Sequence, residues 1–152
     1  MTPKKIVIHC SATKDGHNLS LESLEAAHRA RGFKSIGYHY VIGVTGRLDQ
    51  TRAEHDVGAH VIGANTDSLG ICLVGNILFH VEQFHTLRKL VLDLMKAYDI
   101  KLWNIWVHNE FPSAKIQKKT CPNVRTTNLI AYLASGDTDA IIPWLFPFER
   151  SI

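Results

Sequence analysis

Lys5-Ile6-Val7-Ile8-His9 is an apolar, β-branched run that breaks off at a histidine. Such a run reads as a buried strand, and a buried strand so early in the chain makes a sheet the organising element. Working outward, Ser20 is placed to cap a helix running to about Arg31, where Gly32 stops it. Tyr38–Val44 and Arg47–Asp49 flank Thr45-Gly46, a turn signal, and predict a hairpin. Gly70–Val74 is a second short apolar run, ending at Gly75, and predicts a central strand. Phe84, Leu87, Val91, Leu94 and Tyr98 recur at helical spacing, so Glu82–Tyr98 is expected to be an amphipathic helix packed on the sheet. Trp103–His108 is a strand candidate, and Pro122 precedes a last helix over about Val124–Ser135. Strand, helix, hairpin, strand, helix, strand, helix is the pattern of an α/β domain: a central mixed sheet flanked by helices.

The length of 152 residues suits one globular domain. Its core is expected over about residues 4–135, with 136–152 as a tail. In that tail Trp144, Phe146, Phe148 and two prolines predict an irregular apolar strap. No apolar run approaches the roughly 20 residues that span a bilayer. Lys4 and Lys5 stand before an apolar run, but it ends at His9 without a cleavage site, so the reading is a protein made in the cytoplasm without a signal peptide. A net charge of +3, with the basic residues scattered apart from Lys115, Lys118 and Lys119, argues against nucleic acid and suits an anionic polymer. Cys10, Cys72 and Cys121 are too few, too odd in number and too far apart for a disulfide framework. Nine histidines are many for this length and call for a metal or acid–base explanation.

A catalytic zinc takes three protein ligands and keeps a fourth position open. His9 and His108 both close apolar strand candidates. Cys121 sits in Lys119-Thr120-Cys121-Pro122, where proline stiffens the next peptide and a nearby cation favours thiolate. Taken singly, each has a plainer reading as a hydrogen-bonded core histidine or a buried cysteine.

Four segments in order carry a resemblance. Ile6-Val7-Ile8-His9-Cys10-Ser11-Ala12-Thr13, Gly37-Tyr38-His39-Tyr40 and Val57-Gly58-Ala59-His60 through Asn65 to Gly75 are three of them. His108-Asn109-Glu110-Phe111-Pro112, followed by Lys119-Thr120-Cys121-Pro122, completes the set. Together they resemble the zinc-dependent N-acetylmuramoyl-L-alanine amidases of the phage-lysozyme and peptidoglycan-recognition type. The resemblance implies Zn²⁺ held by His9, His108 and Cys121, catalysis helped by Tyr38 and Lys119, and a substrate groove lined by His60 and Asn65. It implies hydrolysis of the amide between N-acetylmuramic acid and L-alanine, by a phage or prophage endolysin acting as a monomer on the cell wall once another factor releases it. Other readings are a cytosolic amidase recycling anhydro-muropeptides, a non-catalytic peptidoglycan-recognition module, and, by family analogy, a regulator binding a phage RNA polymerase.

Compared with the phage enzymes, the stretch between His108 and Cys121 is longer, with Ser113–Lys118 as an extra loop, and Asn123 replaces the usual glycine. Strand alternation would put Tyr38 and Tyr40 on one face and His39 on the other, and would turn Cys10 away from the metal. Cys72 reads as core, and Glu110 as an acceptor that orients His108. His17, His28, His55, His80 and His85 read as surface or helix residues.

Overall fold

The computed structural model describes residues 1–135. The expected strap over Ile141–Phe148 lies outside the described residues. Five strands form one sheet: β1 (Lys5–Cys10), β2 (Tyr40–Ile42), β3 (Leu48–Gln50), β4 (Ser68–Leu73) and β5 (Ile105–Val107), in the order β3-β2-β4-β1-β5. β1 lies parallel to both β4 and β5, β2 is parallel to β4, and only the β2–β3 hairpin is antiparallel. The central mixed sheet read from the sequence is therefore present. β1 lies inside the sheet between β4 and β5, and its Ile6, Val7 and Ile8 are at most 1% exposed; only a strand covered on both faces tolerates three consecutive β-branched residues.

Helices cover both faces. α1 (Leu21–Ala30) starts where expected: the Ser20 hydroxyl accepts from the Ser23 amide at 3.1 Å. α2 (Val81–Tyr98) presents Phe84, Leu87, Leu90, Val91 and Leu94 as its buried stripe. Each such side chain contributes about 1.5–3 kcal/mol on burial, so the stripe, more than helix propensity, holds α2 on the sheet. Its direction is set by Gln83, fully buried in the first turn, whose amide donates to the carbonyls of Ile42 and Val74 just where β2 and β4 end. α4 (Thr126–Ala134) lies beside α2 and adds Leu129 and Leu133 to the same core. On the opposite face, α1 contributes Leu24 to a smaller cluster with Val41 and Cys72.

Two expectations need correction. Ser113–Lys118 is not simply a loop: Pro112–Ile116 forms a short helix, α3, with proline in its first turn, where the missing N–H is no loss. Tyr38 and Tyr40 do not share a face. Tyr40 joins the core under α2, whereas Tyr38 packs with Val41 and Cys72 under α1. The strand begins only at Tyr40 and the chain bends at His39, so period-two alternation does not reach back to Tyr38.

The long connection 51–67 is tied down from two sides. Glu54 accepts hydrogen bonds from both Tyr40 and Tyr98. Asn65 Oδ1 accepts from the amides of His60 and Val61 at 2.8 and 2.9 Å. No helix among the described residues is long and apolar enough to cross a membrane.

Candidate active site

His9 lies at the C-terminal end of β1, and His108 follows β5 in a single 3-10 turn (His108–Glu110). The register pairs Ile8 with Val107, so the next residue of each strand brings the two imidazoles together at 4.5 Å between ring centroids. Ligand sites in such sheets form at the carboxyl ends of strands, where connections leave to opposite sides. Here β1 is followed through α1 by β2 toward one edge of the sheet, and β4 is followed through α2 by β5 at the other edge.

Cys121 arrives from the loop before α4. The Cys10 amide donates to its sulfur at 2.9 Å, and the Asn109 amide donates to its carbonyl at 3.0 Å. The Asn109 side-chain amide also holds the carbonyls of Thr120 and Pro122. One ligand atom from each of His9, His108 and Cys121 lies within 4.8 Å of the others. Two imidazoles and a sulfur at this separation fit a small borderline-soft cation such as zinc.

Electrostatics prepare the histidines. Burial, then His60, His108 and Lys119, hold His9 well below the usual imidazole range. Burial and Lys119 lower His108 to about 4. Both are therefore neutral at neutral pH, with lone pairs to give. The Cys121 thiol moves the other way: its hydrogen bond with the Cys10 thiol, then burial, push it up. Lys119 alone does not favour thiolate, so a divalent cation is the partner that would. Cys10, expected to point away, is thus in contact with Cys121.

Tyr38 stands beside this group, its ring 5.1 Å from that of His9. Burial raises its pKa well above the phenol range, which keeps it a proton donor. Its hydroxyl interacts with the Cys72 thiol. Lys119 is exposed and bears on both His9 and His108, which its neighbour Lys118 does not. A cleft of about 430 Å³ opens over Cys10, Tyr38, His108, Lys119 and Cys121. A second compartment of about 320 Å³ is lined by His60, Asn65, Phe33 and Ile62, and shares Arg31, His108 and Lys119 with the first.

Residues 1–124 match the family of N-acetylmuramoyl-L-alanine amidases (Amidase_2). The chain belongs to this family. Among curated relatives, the endolysin of Enterobacteria phage T3 is 32% identical over 130 residues, covering 80% of this chain and 82% of that protein. The endolysin of Escherichia phage T7 is 32% identical over 126 residues, with 78% and 79% covered. Among solved structures, the N-acetylmuramoyl-L-alanine amidase LysC from Clostridium intestinale URNW superposes with a TM-score of 0.75 at 28% identity, covering 87% of this chain and 85% of that one. Drosophila peptidoglycan recognition protein SD, at 22% identity and a TM-score of 0.69, shares the fold.

Within this amidase two residues contribute that sequence reading passed over. His28, taken as a surface or helix residue, is 3% exposed and lines the larger cleft. Its Nδ1 accepts from the Gly37 amide, and its Nε2 has no hydrogen-bond partner among the described residues. Its place four residues after buried Leu24 on α1 was the available signal. Asn109, quoted only as part of a motif, pins the Cys121 loop. Glu110, expected to orient His108, makes no hydrogen bond to it among the described residues. His17, His55, His80 and His85 are exposed, as expected.

Proposed function

We propose that this amidase is a zinc enzyme that hydrolyses the amide between N-acetylmuramic acid and L-alanine, and that it works on the cell wall as a phage-type endolysin. One observation carries the reading: His9, His108 and Cys121 converge beneath a cleft that also presents Tyr38 and Lys119. The relatedness to the phage endolysins over four-fifths of both chains supports the biological role. When bound by His9, His108 and Cys121, zinc supplies Lewis-acid polarisation of the amide carbonyl and acidifies water.

The chain's own side chains supply the rest. Lys119 offsets the negative charge that builds on the carbonyl oxygen and delivers a proton to the leaving amine. Tyr38, kept protonated by burial, donates a hydrogen bond to the same oxygen, exchanging its contact with Cys72 to do so. His28, whose Nδ1 accepts from the Gly37 amide, supports the wall of the cleft behind Tyr38. His60 and Asn65 wall the second compartment, where the stem peptide or glycan extends.

The test is digestion of purified peptidoglycan with mass analysis. The expected products are stem peptides with a free L-alanine amine and glycan strands left intact. New reducing ends on the sugar, or no product from a zinc-loaded protein, would overturn the assignment. Intact sacculi should be cut as well as soluble muropeptides; cleavage of fragments alone would transfer the enzyme to a recycling role.

A further inference from the structure

His60 sits behind the proposed metal site, and its hydrogen bonds fix where protons lie. The Ser68 hydroxyl donates to the Ala64 carbonyl at 2.6 Å. Its proton is then spent, so the Ser68 oxygens near His60 Nε2, at 3.4 Å for the carbonyl and 3.5 Å for the hydroxyl, are both acceptors. His60 Nε2 must therefore bear the hydrogen, and in a neutral ring Nδ1 must be the acceptor. That Nδ1 lies 3.0 Å from His9 Nε2. His9 donates across this bond, which leaves its own Nδ1 as the nitrogen with a free lone pair.

The His60 ring has little freedom to do otherwise. It meets His9 edge-on, with ring planes 88° apart, and is only 9% exposed. A Cβ on Gly70 would fall 2.5 Å from its Cγ, and one on Gly58 would fall 2.5 Å from its Cδ2. His39 closes a third side: its Nδ1 accepts from the Gly70 amide, and its Nε2 bonds the Asp56 carbonyl. Two glycines and a clamped histidine thus hold one imidazole plane in place.

We infer that His60 is a positioning residue for the metal site: the proton order Ala64–Ser68–His60–His9 presents His9 to the cation through Nδ1. This rests on the zinc reading above, and it gives His60 a role beyond lining the groove. An outer partner of this kind usually changes metal affinity by about 10–100-fold, although the usual partner is a carboxylate or carbonyl rather than a second imidazole.

The experiment uses the full chain labelled with ¹⁵N-histidine, metal-free and zinc-loaded, together with His60→Ala and His60→Asn. Ring nitrogen spectra of the metal-free chain should show His9 protonated at Nε2; His9 protonated at Nδ1 overturns the proposal. His60→Ala should weaken zinc binding, read by chelator competition, by about 10–100-fold. In His60→Asn the side-chain oxygen replaces the Nδ1 acceptor and should recover most of that affinity. Zinc affinity unchanged in His60→Ala, with only KM raised, would make His60 a substrate contact and sink the inference. If His60→Ala does not fold, the asparagine variant and the wild-type spectra still decide. A wild-type chain that binds no zinc would overturn the metal reading instead, while its metal-free tautomer would still test the proton order.

Discussion

The proposed metal site has two unlike halves. On one side His9 is part of the interior strand β1, 1% exposed and backed by His60, Ser68 and two glycines. On the other, Cys121 is half-buried in a loop and held by the Cys10 amide and by Asn109, with Lys118 and Lys119 exposed just before it. The first half is rigid because the sheet cannot exist without it. The second is as rigid as a handful of hydrogen bonds make it, which suits the side where Lys119 is proposed to act.

The sharpest test removes one ligand from each half. His9→Ala and Cys121→Ala should both abolish stoichiometric zinc and wall hydrolysis. His9→Ala should also destabilise the metal-free protein by about 1–3 kcal/mol, because the His60 acceptor loses its donor inside the core, and by more than Cys121→Ala, which takes the sulfur acceptor from the Cys10 amide in the more exposed half. Urea titrations of the two variants give the comparison; equal losses would mean that the halves do not differ.

Next comes the exposed side. Lys119→Ala should lower kcat by roughly 10²–10³, the usual effect of removing one group that stabilises an oxyanion, with folding unchanged. Lys118→Ala should leave kcat near wild type, and a reversed pair of results would shift the catalytic role by one residue.

Smaller effects follow from the braces. Gly70→Ala drives a methyl into the His60 ring and should cost about 1–3 kcal/mol. Asn109→Ala frees the carbonyls of Thr120 and Pro122, so it should weaken zinc retention with little change in thermal midpoint. A large drop in that midpoint would show that the loop half is as integral to the fold as the strand half.

The mildest effect is on pH. His28 and His39 both use Nδ1 to accept a backbone N–H, and burial is the first cause that lowers the pKa of each. The folded chain therefore binds fewer protons than the unfolded chain below the unfolded value of about 6.5. Their contribution is complete above that value and is lost as pH falls through it toward the lowered folded values. His39→Gln should flatten the fall of urea stability between pH 7 and pH 5; an unchanged slope would assign the acid sensitivity to other groups.

How much of this was legible in the sequence divides along the same line. Ile6–His9 declares a buried strand because three β-branched residues leave no solvated face, and Ser20 declares a cap. α3 was not legible because five residues are too few to show a period, though Pro112 marked its start. His9, His108 and Cys121 were legible as motifs, yet nothing local in Val57–His60 shows that His60 faces His9 Nε2. That contact spans 51 positions and depends on how the 51–67 connection folds back. Tyr38 was placed on the wrong face because alternation was extended one bend too far.

The bond from the Cys10 amide to the Cys121 sulfur joins residues 111 apart, and this has a consequence in time. A nascent chain released before Cys121 has all five strands but lacks one residue of the proposed metal site, so a truncated product is expected not to hydrolyse the wall. β1, made first, must also wait for β4 and β5, and such distant pairings close slowly. On the proposed ligand set, an amidase built this way would become active only when nearly the whole described chain has been synthesised and folded.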